Sequence, residues 1–265
     1  MKNILLLVHR DRGQEARLQA ALDLTRALGG HLACLDVTPY PVMASDTHFG
    51  SAEAIVVRDE SADEAKNRAE LSDRLTREDV SWSLADTIGD IAHALREAAD
   101  LADLIILNRA LDGFSMPDMR GIIARLVMRT HVPVLAVPQA LQRFETRRAL
   151  IAWDGRPAAA AALRASVPLL SLAEEVRIFV ALESDAGLDP GQAAAYLSRH
   201  GIQAVVQTVE KAGAPADRLI AEESATWRAD YVVMGAYGRG RLRETFGGVT
   251  QHMLAESKCP LILCH

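Results

Sequence analysis

The chain has 265 residues, 49% of them apolar and 5% aromatic, and a formal net charge of -6. That length exceeds the commonest domain size and fits two domains of roughly 130 residues. The negative charge argues against nucleic acid as the main partner, because phosphate-backbone binding needs a basic surface, and no apolar run approaches the about 18 residues of a membrane-spanning helix.

The first segment, MKNILLLVHRDRG, carries a short apolar run that charge ends at once. It reads as a first strand rather than a signal peptide. Further strands are expected near 31–37, 80–85, 103–107 and 133–137, with helices near 13–28, 60–77, 88–101 and 119–130. Residues 38–59, polar and rich in small residues, read as a long lid-like loop with no assigned role. Residues 139–147 (QALQRFETR) read as a polar linker. Beyond it, strands are expected near 148–153, 175–182, 202–209, 230–234 and 260–264. Helices fall near 157–172, 189–200, 214–227 and 247–257, with Asp189-Pro190 supplying a cap and a first-turn proline. The three cysteines, Cys34, Cys259 and Cys264, lie in or beside strand-like runs. Their odd number fits buried small side chains in a reducing cytoplasm rather than a disulfide framework.

The second set of elements repeats the first. Shifted by 127 residues, Asp103–Pro133 lies over Asp230–Pro260 without a gap. ADLIIL then matches ADYVVM, and VPVLAV matches CPLILC. Strands alternating with helices imply right-handed crossovers and a parallel sheet. The expected class is therefore α/β: two tandem, doubly wound, Rossmann-like units of five strands each, over 1–140 and 147–265. The last strand of each unit is an apolar edge that would be sticky if exposed. Strands 133–137 and 260–264 are therefore expected to pair across a pseudo-two-fold axis, giving an intrachain pseudo-dimer.

Ligands on such sheets bind beyond the carboxyl ends of the strands, at the switch point. There the second unit has Gly235 and Gly238 after its fourth strand. Gly248, Val249 and Thr250 open its last helix, and Arg239, Arg241 and Arg243 lie between. Glycines let a ligand approach the backbone, a helix start favours an anion, and arginine forks onto phosphate. Alternatively, these glycines serve turns and the arginines form a solvated face. Asp154, after the first strand of this unit, is either a ribose acceptor or a plain helix cap ahead of Pro157.

The pattern G-x2-G-x9-G after a fourth strand, with an aspartate after the first, resembles the universal stress protein family in its tandem form. GAYGRGRLRE, GGVT, ADYVVMG and CPLILCH carry the resemblance, which covers nearly the whole chain. The family's fold, of the adenine nucleotide alpha hydrolase-like type, implies that the second unit binds ATP, with Mg2+ as the accompanying ion. The resemblance assigns the phosphates to Gly235, Gly238, Gly248, Val249 and Thr250; Arg239, from the arginine-rich loop itself, is a further expected phosphate contact. The resemblance gives the nucleoside to Asp154 and the adenine to backbone near Ala181. It further implies a cytoplasmic stress sensor or adaptor with protein partners still to be identified, and allows a homodimer of whole chains.

Val249 departs from the usual Ser or Thr after the third glycine. Gly247-Gly248-Val249-Thr250 could instead be the usual G-[GS]-V-T with one loop residue deleted; the internal repeat, which lays Gly121 on Gly248, favours the first register. A lost neutral hydrogen bond is worth about 1 kcal/mol, or about fivefold in affinity. In the first unit, Asn108 replaces Gly235, Leu111 replaces Gly238 and Asp112 replaces Arg239, while Gly121 remains. Leucine disfavours a left-handed backbone, and Asp112 would repel phosphate. This unit is expected to be a degenerate partner, with Asp11 as a cap.

There is no GxxxxGK[ST] and no nucleophile elbow. The histidines show no metal spacing, and Cys259 and Cys264 fall on opposite faces of a strand, so no metal site is assigned. No residue is assigned a catalytic role. Two other readings stand beside the ATP-binding one: a nucleotide-dependent hydrolase with slow ATPase activity, and a dimerisation scaffold without nucleotide.

Overall fold

The computed structural model describes residues 1–39, 64–110, 118–182, 187–210, 213–236 and 248–265. The first half contains β1 (Asn3–Val8), α1 (Gln14–Leu28), β2 (His31–Pro39), α2 (64–75), β3 (Ser81–Gly89), α3 (Ile91–Ala98), β4 (Leu104–Asn108), α4 (Met119–Thr130) and β5 (Val134–Val137). The second contains β6 (Arg148–Ala152), α5 (Pro157–Leu170), β7 (Glu175–Leu182), α6 (Pro190–Arg199), β8 (Ala204–Glu210), α7 (Ala216–Thr226), β9 (Tyr231–Gly235), α8 (Gly248–Glu256) and β10 (Leu261–Cys264).

All ten strands form one sheet, in the order β3-β2-β1-β4-β5-β10-β9-β6-β7-β8. Within each half every neighbouring pair is parallel. The halves meet at β5 and β10, which pair antiparallel through Leu261↔Ala136, Ile262↔Leu135 and Leu263↔Val134. The two apolar edges therefore cover one another, as the sequence predicts, and the expected pair of five-stranded sheets is one continuous sheet.

Side chains alternate across this seam. Leu135, Val137, Ile262 and Cys264 enter one core, which includes residues of α1, α2, α5 and α6. Val134, Ala136, Leu261 and Leu263 enter the other, beside α3, α4, α7 and α8. Both cores contain residues of both halves, because the pseudo-two-fold keeps each helix layer on its own face. Burial of strands on both sides explains their near-continuous Val/Ile/Leu runs. The outermost strands, β3 and β8, are largely exposed.

Several boundaries differ from expectation. A strand is expected near 80–85, but β3 runs to Gly89, because β2 stays paired beside it from His31↔Ser81 to Pro39↔Gly89. The helix expected from 88 starts later, after Asp90 caps it by accepting from the His93 N–H at 2.8 Å. It tightens into a 3-10 turn over Ala99–Leu101. The cap at Asp189 forms, accepting from the Gly191 N–H at 3.1 Å. The polar linker is anchored: the Phe144 N–H donates to Asp23 Oδ2 at 2.9 Å, and its buried ring lies 5.6 Å from that of Tyr231. Most of the loop expected at 38–59 lies outside the described residues. Among the described residues no helix is long and apolar enough to cross a membrane.

Candidate functional site at the second switch point

The order of strands reverses between β6 and β9, so their carboxyl ends frame a crevice. Ala152 pairs with Met234, which brings Asp154 just past the level of Gly235 on the neighbouring strand. Asp154 Oδ1 accepts from the Arg156 N–H at 3.0 Å, closing a local turn, and Oδ2 lies 3.7 Å from Arg156 Nε. The N-cap of α5 is Arg156, not Asp154. Half of the aspartate side chain is exposed, so its carboxylate can accept further hydrogen bonds.

Gly235 closes the strand for a reason other than ligand approach. A Cβ there would lie 2.4 Å from Ala159 N and 2.6 Å from Ala158 C. The run PAAAAA, with small side chains, lets α5 come down onto β9, and only glycine fits beneath it. Gly238 and Arg239 fall in 237–247, outside the described residues. Gly248 opens α8, and among the described residues a Cβ added to it would meet nothing within 4 Å. As at any helix start, the first N–H groups of α8 lack intrahelical acceptors. Val249 packs against the second core, and Thr250 is buried. Backbone N–H groups are therefore the donors this end offers most directly. Ala181 lies near the end of β7, partly buried and paired with Val209.

One feature of this end has no counterpart in the sequence reading. Residues 187–188 lie against the turn after β6. The Leu188 N–H donates to Gly155 O at 2.8 Å, and Trp153 Nε1 donates to Leu188 O at 3.0 Å. Gly155 has φ +71, and a Cβ on it would sit 2.4 Å from Leu188 N. Gly187 is equally confined, since its Cβ would be 2.6 Å from Asp154 O. The Asp154-Gly155 pair signals the turn; nothing local signals its distant cover.

At the first switch point the position equivalent to Gly235 holds a side chain. Asn108, fully buried, ends β4 as an ordinary strand residue rather than in a left-handed turn. Its Nδ2 donates to Val137 O at 3.1 Å, and its Oδ1 accepts from Arg17 Nη1. Arg17, also fully buried, donates Nε to Leu7 O at 2.8 Å and Nη2 to His9 O, and Nη2 lies 2.7 Å from Asp11 Oδ2. Asp11 also accepts from the Gly13 N–H at 2.6 Å. Beside them, His9 Nδ1 lies 2.7 Å from Glu64 Oε1, and Glu64 Oε1 accepts from the Arg10 N–H at 3.2 Å. Burial pushes the Glu64 pKa up, but these contacts and Asn67 outweigh it and hold it below the usual range. Asp118 caps α4, accepting from the Arg120 N–H at 3.1 Å, and so puts a carboxylate at that helix start. Leu111 and Asp112 lie outside the described residues.

Residues 145–265 match the model of the universal stress protein family. They form a universal stress protein domain. Residues 1–144 lie outside that match. A universal stress protein from Archaeoglobus fulgidus aligns over 100% of this chain and 98% of its own, with a TM-score of 0.75 and 15% identity. That likeness establishes a shared fold across both halves. The universal stress protein UspA from Lactobacillus plantarum covers 52% of this chain and 97% of its own length, with a TM-score of 0.41 and 15% identity. A universal stress protein family member from Burkholderia pseudomallei covers 51% and 96%, with a TM-score of 0.38 and 21% identity. No curated protein matches the chain.

Proposed function

We propose that the universal stress protein domain binds ATP at the β6/β9 switch point and that the chain acts as a cytoplasmic stress-response sensor or adaptor, meeting protein partners differently when loaded. The observation that carries the reading is the reversal of strand order between β6 and β9, with a half-exposed Asp154 after β6 and the start of α8, at Gly248, in the connection that follows β9. The backbone N–H groups of Gly248, Val249 and Thr250, with Gly238 and Arg239 of the preceding loop, would hold the phosphates. Asp154 would accept from the ribose, and backbone at Ala181 would meet the adenine. Gly235 serves the site indirectly, by seating β9 under α5. Among the described residues no group of three or more His, Cys, Asp or Glu could hold a metal, so Mg2+ would arrive on the phosphates.

The first half is the degenerate partner in this reading. Arg17 and Asn108 fill its switch point, and Asp118 already occupies the anion end of α4. A scaffold without nucleotide is less well supported, because β5 and β10 use their edges on each other within the chain.

Calorimetry with ATP tests the proposal. One ATP per chain should bind, and Gly238→Val should abolish binding with the circular dichroism unchanged. No binding at millimolar ATP leaves the scaffold. Turnover faster than about 1 per second, a typical enzyme rate, favours the hydrolase instead.

A further inference from the structure

The residue after Asn108 reaches into the other half. Arg109 follows β4, and its Nη1 donates at 3.3 Å to both Met253 O and Leu254 O, in the last turn of α8. The contact spans 144 residues of sequence and crosses the β5/β10 seam. A cation at a helix C-terminus is favourable in charge as well as in hydrogen bonding.

We infer that Arg109 is a positioning residue for the phosphate end of the second half, an inference that rests on the ATP reading above. Three observations support it. The base of Arg109 is fixed, because Asn108 beside it is clamped by Arg17 and Val137 O. The helix it holds is short: nine residues span about 13.5 Å, with Gly248 at the far end. Met253 and Leu254 are themselves buried in the core, so the guanidinium fixes carbonyls whose side chains are already seated. Holding one end of so short a rod sets where the N–H groups at the other end point, and donor geometry of that kind governs anion affinity.

The contact runs one way. The residue equivalent to Arg109 in the repeat is Ala236, which is buried and donates its N–H to Cys264 O at 2.9 Å. Its methyl group has no hydrogen bond to offer α4. That helix ends instead on His131 in a left-handed conformation, φ 55. The half that has lost its own site thus supports the site of the other.

The test compares the whole chain with Arg109→Ala and Arg109→Lys, titrating ATP and, separately, adenosine. ATP should bind Arg109→Ala about tenfold more weakly, the scale of one lost charged hydrogen bond. Adenosine, which carries no phosphate to the helix start, should bind all three alike, and Arg109→Lys should recover part of the ATP affinity. Equal loss for ATP and adenosine, or no loss for either, overturns the inference. Amide hydrogen exchange without nucleotide provides a readout independent of ATP. Arg109→Ala should speed exchange across 248–256 while leaving 119–130 unchanged, and uniform or unchanged exchange overturns the inference. If the unmodified chain binds no ATP, the function proposed above fails, and exchange alone decides whether Arg109 positions α8.

Discussion

The two switch points solve one packing problem in opposite ways. In the first half the strand keeps a side chain, Asn108, and the start of the helix gives way: a Cβ on Gly13 would lie 2.7 Å from Asn108 Cγ. In the second half the strand gives way at Gly235 and the helix keeps its alanines, with backbone 2.4 Å from where a Cβ would be. One arrangement fills the crevice with a buried arginine and its acceptors. The other closes the helix onto the strand and leaves the proposed ligand end with an aspartate and a helix start at Gly248. The lesson is that the shape of a switch point is set by which of two contacting elements carries the bulk.

The sharpest way to break this comparison is Arg17→Ala. It leaves Asp11 Oδ2 and Asn108 Oδ1 without their buried cation, and removal of one partner from a buried ion pair costs about 3–5 kcal/mol. Denaturant unfolding should show that loss, and a loss under about 1 kcal/mol would mean that Arg17 is not holding the first switch point together.

Next in size is Asp36→Asn, measured against pH. Asp36 lies on β2 beside this network, and its pKa is pushed up to about 6, chiefly by burial and then by Glu64, with Arg68 and His9 opposing and Asp86 adding. Between about pH 4 and 6 the folded chain holds a proton that the unfolded chain has lost, so stability falls as pH rises through that window. Above it the aspartate costs up to about 3 kcal/mol, from 1.36 kcal/mol per unit. Asp36→Asn should therefore be more stable than the unmodified chain at pH 8, with the advantage gone below pH 4. A pH-independent difference would contradict this.

Gly235→Asn transplants the first half's choice into the second, where α5 has not moved aside. Overpacking of this kind costs about 1–3 kcal/mol, read as a lower midpoint in thermal unfolding. A neutral result would show that α5 can lift, and that the two ends are interchangeable. The smallest effect is expected at Val249. Val249→Ser restores a hydroxyl at the helix start and should tighten ATP by about fivefold; unchanged affinity would place the phosphates away from that residue.

Much of this was legible because it is local. Apolar runs, Asp189-Pro190 and the 127-residue offset mark strands, a cap and the repeat within short windows of sequence. Even the β5/β10 pairing could be reasoned out, since two apolar edges in one chain need covering. What stayed hidden depends on residues far apart. Nothing local marks Arg17 as buried, because its acceptor Asn108 lies 91 residues on. Phe144 sits in a polar stretch, and only Asp23 and Tyr231 explain its burial. Gly235 carries the expected residue for an unexpected reason, because α5 rather than a ligand occupies the space above it.

The antiparallel seam has a wider consequence. In a symmetric dimer every substitution appears twice, so neither copy can be altered without altering the other. Here the partner is joined through residues 139–147, and each substitution appears once. One half is free to fill its crevice with Arg17 and to extend Arg109 across the seam, while the other keeps its glycines. Covalent linkage thus lets two like neighbours diverge residue by residue.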